Sequence, residues 1–150
     1  MRRVSSNDLV GNAGVYWVAM ELSHRGLVAL PTVRNCPGAD LLVLDPGTGG
    51  LATLQVKCSG KRPKFWPASA PPVAWRKPTH AYVFVRRTGS GDGYEGFLVG
   101  SEEVAVDVAA NLADLAGRGR QPFHEFRLPK DQQAVERLRE AWLNWRPPAG

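Results

Sequence analysis

The chain has 150 residues, of which 43% are hydrophobic and 22% are charged. This composition is typical of a globular domain and excludes a disordered tail, a collagen and a coiled coil. With 19 Lys and Arg against 14 Asp and Glu, the net charge of +5 favours polyanionic partners without identifying one.

We expect a single cytoplasmic domain that does not enter a membrane. The length of 150 residues is typical of one domain. No apolar run approaches the roughly 18 residues of a membrane span, and the first residues do not resemble a signal peptide. The two cysteines, Cys36 and Cys58, are too few for a disulfide framework or a four-cysteine zinc site, and they fit a reducing compartment.

Hydrophobic spacing and turn residues predict three helices and six strands. A helix over 5–26 is apolar on almost all sides, so we expect it to be buried against a sheet. A turn cluster at 45–50 joins the second and third strands into a hairpin, and a proline-rich extended loop occupies 59–79. The predicted strands are 27–30, 41–44, 51–58, 80–86, 94–99 and 123–128, and the two later helices are 101–116 and 130–145.

This order of elements predicts an α/β or α+β domain built around a mixed sheet. Ser101 is expected to cap the second helix, and Gly117 to close it. On the last helix, Trp142 and Trp145 belong to one apolar stripe, which predicts that they pack in the core.

The predicted hairpin brings together side chains that suit metal chemistry. Because side chains alternate along a strand, Gln55 and Lys57 share one face of the third strand, while Cys58 points to the other face. Asp40 enters the neighbouring strand, so its carboxylate is expected to meet Gln55 and Lys57 across the ladder. Carboxylate and amide oxygens suit a hard cation such as Mg²⁺, and a lysine beside it can orient a bound water.

The arrangement of Asp40 and Gln55-Val56-Lys57 resembles the PD-(D/E)xK nuclease superfamily, in the glutamine variant of its Mrr-like and Holliday-junction-resolvase-like members. The whole segment 11–57 is similar to small bacterial proteins of this kind. The resemblance implies a restriction-endonuclease-like fold, in which α-helices flank a mixed β-sheet. It also implies that Asp40, Gln55 and the Val56 carbonyl hold Mg²⁺ or Mn²⁺, and that Lys57 positions the water that hydrolyses a phosphodiester bond, with DNA as the expected substrate.

Two positions depart from the superfamily pattern and leave an alternative open. Related helices usually carry a metal-binding Glu eleven residues before the closing glycine, where this chain has Val15. Gln55 stands where many members of the superfamily carry an acidic residue, so it removes a second negative charge from the expected metal site. A catalytically weak or inactive module that binds nucleic acid or a protein partner is therefore the alternative to a nuclease. Two other acidic residues of this helix could be considered as replacements. Asp8 lies about 10 Å along the helix from Val15, which is too far for it to replace the missing carboxylate directly. Glu21 is expected to be a surface charge that pairs with Arg25.

A basic segment directly follows the candidate catalytic strand. Lys61, Arg62 and Lys64 are predicted to contact the phosphates of a nucleic acid. Trp66 next to them is expected either to stack on an exposed base or to form a hydrophobic lid. A homodimer is a further expectation by analogy, because one site per chain usually requires two chains to cut both strands.

Overall fold

The structure is a computed structural model that describes residues 6–33, 36–89 and 93–150. It has three helices and seven strands among these residues, with one short 3₁₀ turn at Val73–Trp75. The helices are α1 (Ser6–His24), α2 (Ser101–Gly117) and α3 (Gln132–Asn144). The strands are β1 (Val28–Pro31), β2 (Leu41–Leu44), β3 (Leu51–Ser59), β4 (Phe65–Pro67), β5 (His80–Arg87), β6 (Tyr94–Gly100) and β7 (Glu125–Arg127).

The central element is a five-stranded sheet in the order β1-β2-β3-β5-β6. The pairing of β3 with β5 is parallel, and the other three pairings are antiparallel. The mixed sheet and the α/β class predicted from the sequence are therefore confirmed. The hairpin between β2 and β3 is confirmed as well, since the Asp45 amide donates to the Gly50 carbonyl across the turn.

A hydrophobic core lies on each face of the sheet. On the first face, α1 packs against β2, β3 and β5, and Trp142 of α3 completes this core, with Trp145 packed at its edge. On the second face, α2 and a small sheet of β4 and β7 cover β5 and β6. Both tryptophans of α3 thus pack as predicted. Alternation along β3 directs Leu54 and Val56 toward α1 and leaves Gln55 and Lys57 on the second face.

Three local predictions are wrong. Gly117 does not close α2, because it is the last residue of the helix, and the glycine with a positive φ lies two residues later, Gly119 at +62°. The region 59–79 is not only an extended loop, because Phe65–Pro67 forms β4, which pairs antiparallel with β7. Ser101 is the first residue of α2 and does not cap it, since Gly100 occupies the cap position. The Ser101 hydroxyl instead bonds both backbone groups of Lys77, which fixes the loop that precedes β5 to the start of α2. The other elements agree with their predicted positions to within a few residues.

None of the described helices is long and apolar enough to cross a membrane.

Candidate functional site

Asp40 is held rigidly at the entrance to β2. Its amide donates to the Leu54 carbonyl at 2.8 Å, which extends the ladder between β2 and β3 by one residue. Its carbonyl accepts from the Thr32 amide at 2.9 Å on the opposite side. Two residues earlier, Gly38 has φ +86° and lies against the ring of Trp75, where a Cβ would come within 3.2 Å of Cε2. This turn therefore requires glycine, and it fixes the approach of the chain to Asp40.

The Asp40 carboxylate contacts Gln55, as the alternation and the hairpin predicted, and it also contacts the Val56 amide, which they did not predict. The expected contact with Lys57 is not found, since Asp40 and Lys57, which the structure both describes, form no ion pair of 4 Å or less. One oxygen, Oδ2, accepts a hydrogen bond from Gln55 Nε2 at 2.6 Å and another from the Val56 amide at 2.7 Å. Because the two backbone groups of a strand residue face the same neighbour, the Val56 carbonyl lies on this edge of β3 as well. Asp40, Gln55 and Val56 thus meet at one point of the sheet, where N–H groups of Gln55 and Val56 are directed at Asp40 Oδ2.

Opposing effects act on the pKa of the Asp40 carboxyl. Burial raises the pKa of the Asp40 carboxyl, and this effect outweighs the Val56 amide and the charge of Lys57, which both lower it. Tyr82, the register partner of Gln55 on β5, has its pKa raised by burial and further by the charge of Asp40. Lys57 forms no ion pair of 4 Å or less with any residue that the structure describes, so its ammonium group remains available to a ligand.

A cavity of about 340 Å³ opens beside Asp40, between α1 and the segment that follows β1. Val15 lines this cavity together with Asn12 and Tyr16 of α1. Glu21 does not line it and instead pairs with Arg25 at 3.8 Å, as predicted. The helix therefore presents an amide, a methyl surface and a phenol to Asp40 rather than a carboxylate.

The donor atoms at this site are of the type that a hard divalent cation prefers, but they carry little negative charge. Asp40 Oδ1, Gln55 Oε1 and the Val56 carbonyl are all oxygens, which is the ligand type that Mg²⁺ prefers. No group of three His, Cys, Asp or Glu side chains gathers anywhere in the described parts of the chain. With Asp40 as the one carboxylate, waters and substrate phosphates would have to complete the coordination, as is common for Mg²⁺.

The basic segment lies beyond the carboxyl end of β3, away from Asp40 and Gln55. Ser59 ends β3 four residues beyond Gln55, which corresponds to about 13 Å along the strand. Lys61, Arg62 and Lys64 follow this end, and all three are exposed. The structure therefore keeps the predicted cations together but separates them from the oxygen cluster around Asp40.

Trp66 is too deeply buried for base stacking, which is one of the two roles that the sequence suggested. It is 1% exposed, packs against Phe84, Phe97 and Phe126, and donates from Nε1 to the Val85 carbonyl at 2.9 Å. Base stacking requires an accessible ring, so that expectation is wrong, whereas the buried ring does cover the aromatic core on the second face of the sheet. The neighbouring Phe65 points outward and is 48% exposed, as alternation along β4 requires.

Cys58 lies on the face of β3 that was predicted for it. Its side chain packs under α1, where a Cβ on Gly14 would come within 2.3 Å of Cys58 Cβ. Burial raises the pKa of its thiol to about 11, which outweighs the charge of Arg87 and the Gly14 backbone. A thiol with this pKa is almost entirely protonated at neutral pH, so it is a poor nucleophile.

Sequence reasoning missed three residues near these sites. Asn12 lies one helical turn before Val15, and this spacing is a signal that was available. Tyr82 reaches Asp40 only through the parallel pairing of β3 with β5, which no local pattern specifies. Lys130 faces Arg62 and Lys64 although it is distant in sequence.

No family model, no curated protein and no solved structure matches this chain. We therefore base the functional proposal on the contacts around Asp40 and on the basic segment.

Proposed function

We propose that the protein is a metal-dependent nuclease with a restriction-endonuclease-like fold and that it hydrolyses phosphodiester bonds in DNA. The observation that carries this proposal is the meeting of Asp40, Gln55 and Val56 within one hairpin, where Asp40 lines a cavity that Gln55 and Val56 do not line. Asp40 Oδ2 lies 2.6 Å from Gln55 Nε2 and 2.7 Å from the Val56 amide. Lys57 follows two residues later on the same face, where its charge is felt by Asp40.

Asp40, Gln55 and the Val56 carbonyl are the residues that would hold Mg²⁺ or Mn²⁺. A bound divalent cation would supply Lewis-acid activation of water and would offset negative charge on the phosphate. The chain's own contribution is positional, because both backbone groups of Asp40 are hydrogen-bonded and its side chain is tied to β3. A ligand group that is fixed before substrate arrives loses little conformational entropy when it binds.

Lys57 is assigned to the reacting water and to the phosphate that it attacks. Its ammonium group has three donors and forms no ion pair among the described residues. A positive charge at this position would hold the water by hydrogen bonding and would stabilise the extra charge that develops in the transition state. Replacing Lys57 is therefore expected to affect turnover more than substrate binding.

The rest of the surface is consistent with a polyanionic substrate. The chain carries a net charge of +5, and the exposed cations of the basic segment lie beyond the end of the strand that holds Lys57. Such cations contact the phosphate backbone without reading sequence, and their contribution falls as salt concentration rises. A homodimer would place two sites on one duplex, so that both strands could be cut in one encounter.

Cleavage assays with matched variants test the proposal. Supercoiled, linear, single-stranded and branched DNA are incubated with Mg²⁺ or Mn²⁺ and with the native protein, Asp40→Asn, Lys57→Met or the control Arg120→Met. Arg120 is exposed and lies outside the site. We expect metal-dependent cleavage by the native protein and Arg120→Met, and a loss of at least about a hundredfold in the other two variants. Equal cleavage by all four proteins would contradict the assignment.

A second candidate function is supported by Val15 and by the hydrogen bond from Gln55 to Asp40. The cavity wall has an apolar side chain where a second ligand would lie, and one Asp40 oxygen is already occupied by two N–H donors. Both features lower the affinity for a divalent ion, which favours a nuclease-fold module that binds nucleic acid without cutting it. Salt-sensitive DNA binding by the native protein, without cleavage under any metal condition, would support this module over the nuclease.

A further inference from the structure

A second cavity, of about 330 Å³, lies beyond the carboxyl ends of β3 and β5 and is separate from the cavity beside Asp40. One of its walls is the segment between β3 and β4, and the other is the chain that leads from β7 into the first turns of α3. Arg62, Lys64 and Arg86 line the first wall, and Lys130 and Gln132 line the second. No Asp or Glu is among the described residues that line the cavity.

The backbone of the first wall is fixed by three hydrogen bonds from neighbouring strands. The Arg87 amide donates to the Lys61 carbonyl at 3.3 Å, and the Leu128 amide donates to the Lys64 carbonyl at 2.8 Å. Between them, the Arg86 guanidinium donates from Nη1 to the Pro63 carbonyl at 2.9 Å. The segment that carries Arg62 and Lys64 is thus held in place from both sides, although both side chains extend into solvent.

Arg86 has a structural role here and is not a free cation. It is buried and pairs through Nε with Glu95 at 2.7 Å, so its charge is largely balanced. The charge available to a ligand comes from Arg62, Lys64 and Lys130. These three form no ion pair with any other residue in the described ranges.

The second wall adds a cation and an amide at a fixed helix start. Asp131, which lies between Lys130 and Gln132, caps α3 by accepting from the Gln133 and Ala134 amides at 3.3 and 3.1 Å. Its carboxylate is therefore directed at the helix backbone. Arg62, Lys64 and Lys130 face one cavity without an acid among the described residues of its lining, while Lys130 also lines a neighbouring cavity together with Asp107 and Asp114. A bound anion would reduce the repulsion among the three cations.

We propose that this cavity binds a phosphate group of a nucleic acid, held by Arg62, Lys64 and Lys130. The proposal extends the proposed function, on which its choice of ligand rests, by giving the substrate a second point of attachment. The cavity lies beside Arg86, whose register partner on β3 is Ser59. Ser59 is about 13 Å along β3 from Gln55. A strand anchored there passes Lys57 on its way to Asp40, since Lys57 lies between Gln55 and Ser59 on β3.

The first test uses inorganic phosphate as the probe and follows backbone amide resonances by NMR. We expect phosphate to shift the amides of Lys64, Leu128 and Gln132, whereas those of Asp40 and Val56 remain in place. Lys64→Gln and Lys130→Gln are each expected to weaken phosphate binding roughly tenfold, because each removes a charge-assisted hydrogen bond. Arg137→Gln is the matched control, since Arg137 is an exposed cation of α3 that does not line the cavity.

The second test measures binding of a short DNA duplex over a range of salt concentrations. Lys64→Gln and Lys130→Gln should each weaken binding and reduce the slope of log affinity against log salt by about one. Duplexes with a 5′-phosphate or a 5′-hydroxyl identify the source of the bound group. A preference for the phosphorylated end assigns the cavity to a terminal phosphate, and equal binding assigns it to an internal one. Either result supports the proposal.

Failure of this proposal is distinguishable from failure of the nuclease proposal. If Lys130→Gln binds phosphate and DNA as tightly as Arg137→Gln does, or if phosphate shifts no resonance of the cavity walls, the anchoring site is overturned even when Asp40→Asn abolishes cleavage. Conversely, if the native protein cuts no DNA but the Lys64 and Lys130 variants bind it more weakly, the anchoring site stands and the nuclease assignment falls. Both lysines are exposed, so unchanged thermal stability of the variants verifies that they are folded.

Discussion

At the scale of single residues, the side chain of Gln55 determines how much negative charge the candidate metal site holds. As an amide, it donates a 2.6 Å hydrogen bond to Asp40 and stabilises that carboxylate without any metal. As a glutamate, it would face Asp40 with a like charge and would supply a second anionic ligand. The balance between stability without metal and affinity for metal therefore depends on this one position.

Gln55→Glu is expected to lower the thermal stability of the metal-free protein and to make that stability depend on Mg²⁺. Loss of the hydrogen bond and repulsion between two carboxylates should cost about 1–3 kcal/mol, or roughly 2–4 °C in Tm for each kcal/mol. Added Mg²⁺ should reverse the loss, because it binds the folded state alone. Thermal denaturation with and without Mg²⁺ measures both effects. If the variant responds to Mg²⁺ no more than Gln133→Glu, an exposed control on α3, the assigned ligand position is wrong.

Glu95 is expected to make the stability of the fold depend on pH. Burial alone would raise the pKa of this carboxyl, but hydrogen bonds and charges from Arg86 and Arg139 outweigh burial and hold its pKa below the ordinary value of 4.5. The two arginines contact its oxygens at 2.7 and 2.9 Å. Because the folded-state pKa is lowered, the stabilisation is complete above the unfolded pKa and is lost as the pH falls through the folded pKa.

Glu95→Gln should therefore reduce stability at neutral pH and flatten the loss of stability below about pH 4.5. Since Arg86 would remain buried without its ionic partner, we expect a cost of about 3 kcal/mol in the free energy of unfolding at pH 7. Urea denaturation at several pH values measures both changes. The exposed Glu140→Gln serves as control. A native-like pH profile for Glu95→Gln would show that the ion pairs contribute little to folding.

The sequence predicted those residue contacts that depend on alternation or on a tight turn. Asp40, Gln55 and Val56 meet because a hairpin fixes their register, and a hairpin is marked by its glycines. Tyr82 and Lys130 were missed because their positions depend on a parallel crossover and on the packing of α3. Contacts between distant segments are set by the whole core, and no local pattern encodes them.

At the scale of elements, the contact between α1 and β3 requires a glycine. A Cβ at Gly14 would lie 2.3 Å from Cys58 Cβ and 2.8 Å from its Sγ, well inside van der Waals contact. The helix therefore approaches the strand that carries Gln55 and Lys57 more closely than any side chain at this position would allow. This close approach also positions Val15, the next residue, at the cavity beside Asp40.

Gly14→Ala is expected to destabilise the fold, although alanine is the better helix former. Overpacking against Cys58, together with the resulting shift of α1, should cost about 1–3 kcal/mol in the free energy of unfolding. This cost should exceed the gain of about 1 kcal/mol that alanine brings through its higher helix propensity. Gly11→Ala is the matched control in the same helix, because nothing lies within 4 Å of its added Cβ, and we expect it to stabilise the protein. Equal effects of the two substitutions on Tm would contradict the close approach.

Element boundaries show where local sequence signals are insufficient. The strands of the five-stranded sheet were predicted because they are apolar runs bounded by turn residues. β4 was missed since it has three residues, one of them proline, and depends on β7 for all of its ladder hydrogen bonds. The burial of Trp66 follows from that pairing, so an error in one short element became an error in the role of a residue.

At the scale of the whole molecule, the second face of the sheet is uncovered at one end. Antiparallel register places side chains from β1, β2 and the start of β3 in adjacent rows on this face. Five aliphatic residues form the surface, and all of them are exposed or half-buried: Val28, Leu30, Leu42, Leu44 and Leu51. The surface ends at β1, the edge strand, which carries no charged residue but is only four residues long and ends in Pro31. A short edge and a proline both discourage pairing with another strand.

We expect a second copy of the chain to cover this surface. Packing of this surface face to face against the same surface of a second copy satisfies a two-fold axis and removes the aliphatic side chains of both copies from water. We therefore expect the native protein to sediment as a dimer that dissociates on dilution, and Leu30→Lys to sediment as a monomer. Val73→Lys adds the same charge at an equally exposed apolar residue outside this surface and should remain dimeric, since Val73 is 78% exposed and Leu30 52%. A native protein that stays monomeric at its highest soluble concentration would contradict the dimer, and both strands of a duplex would then have to be cut by separate encounters.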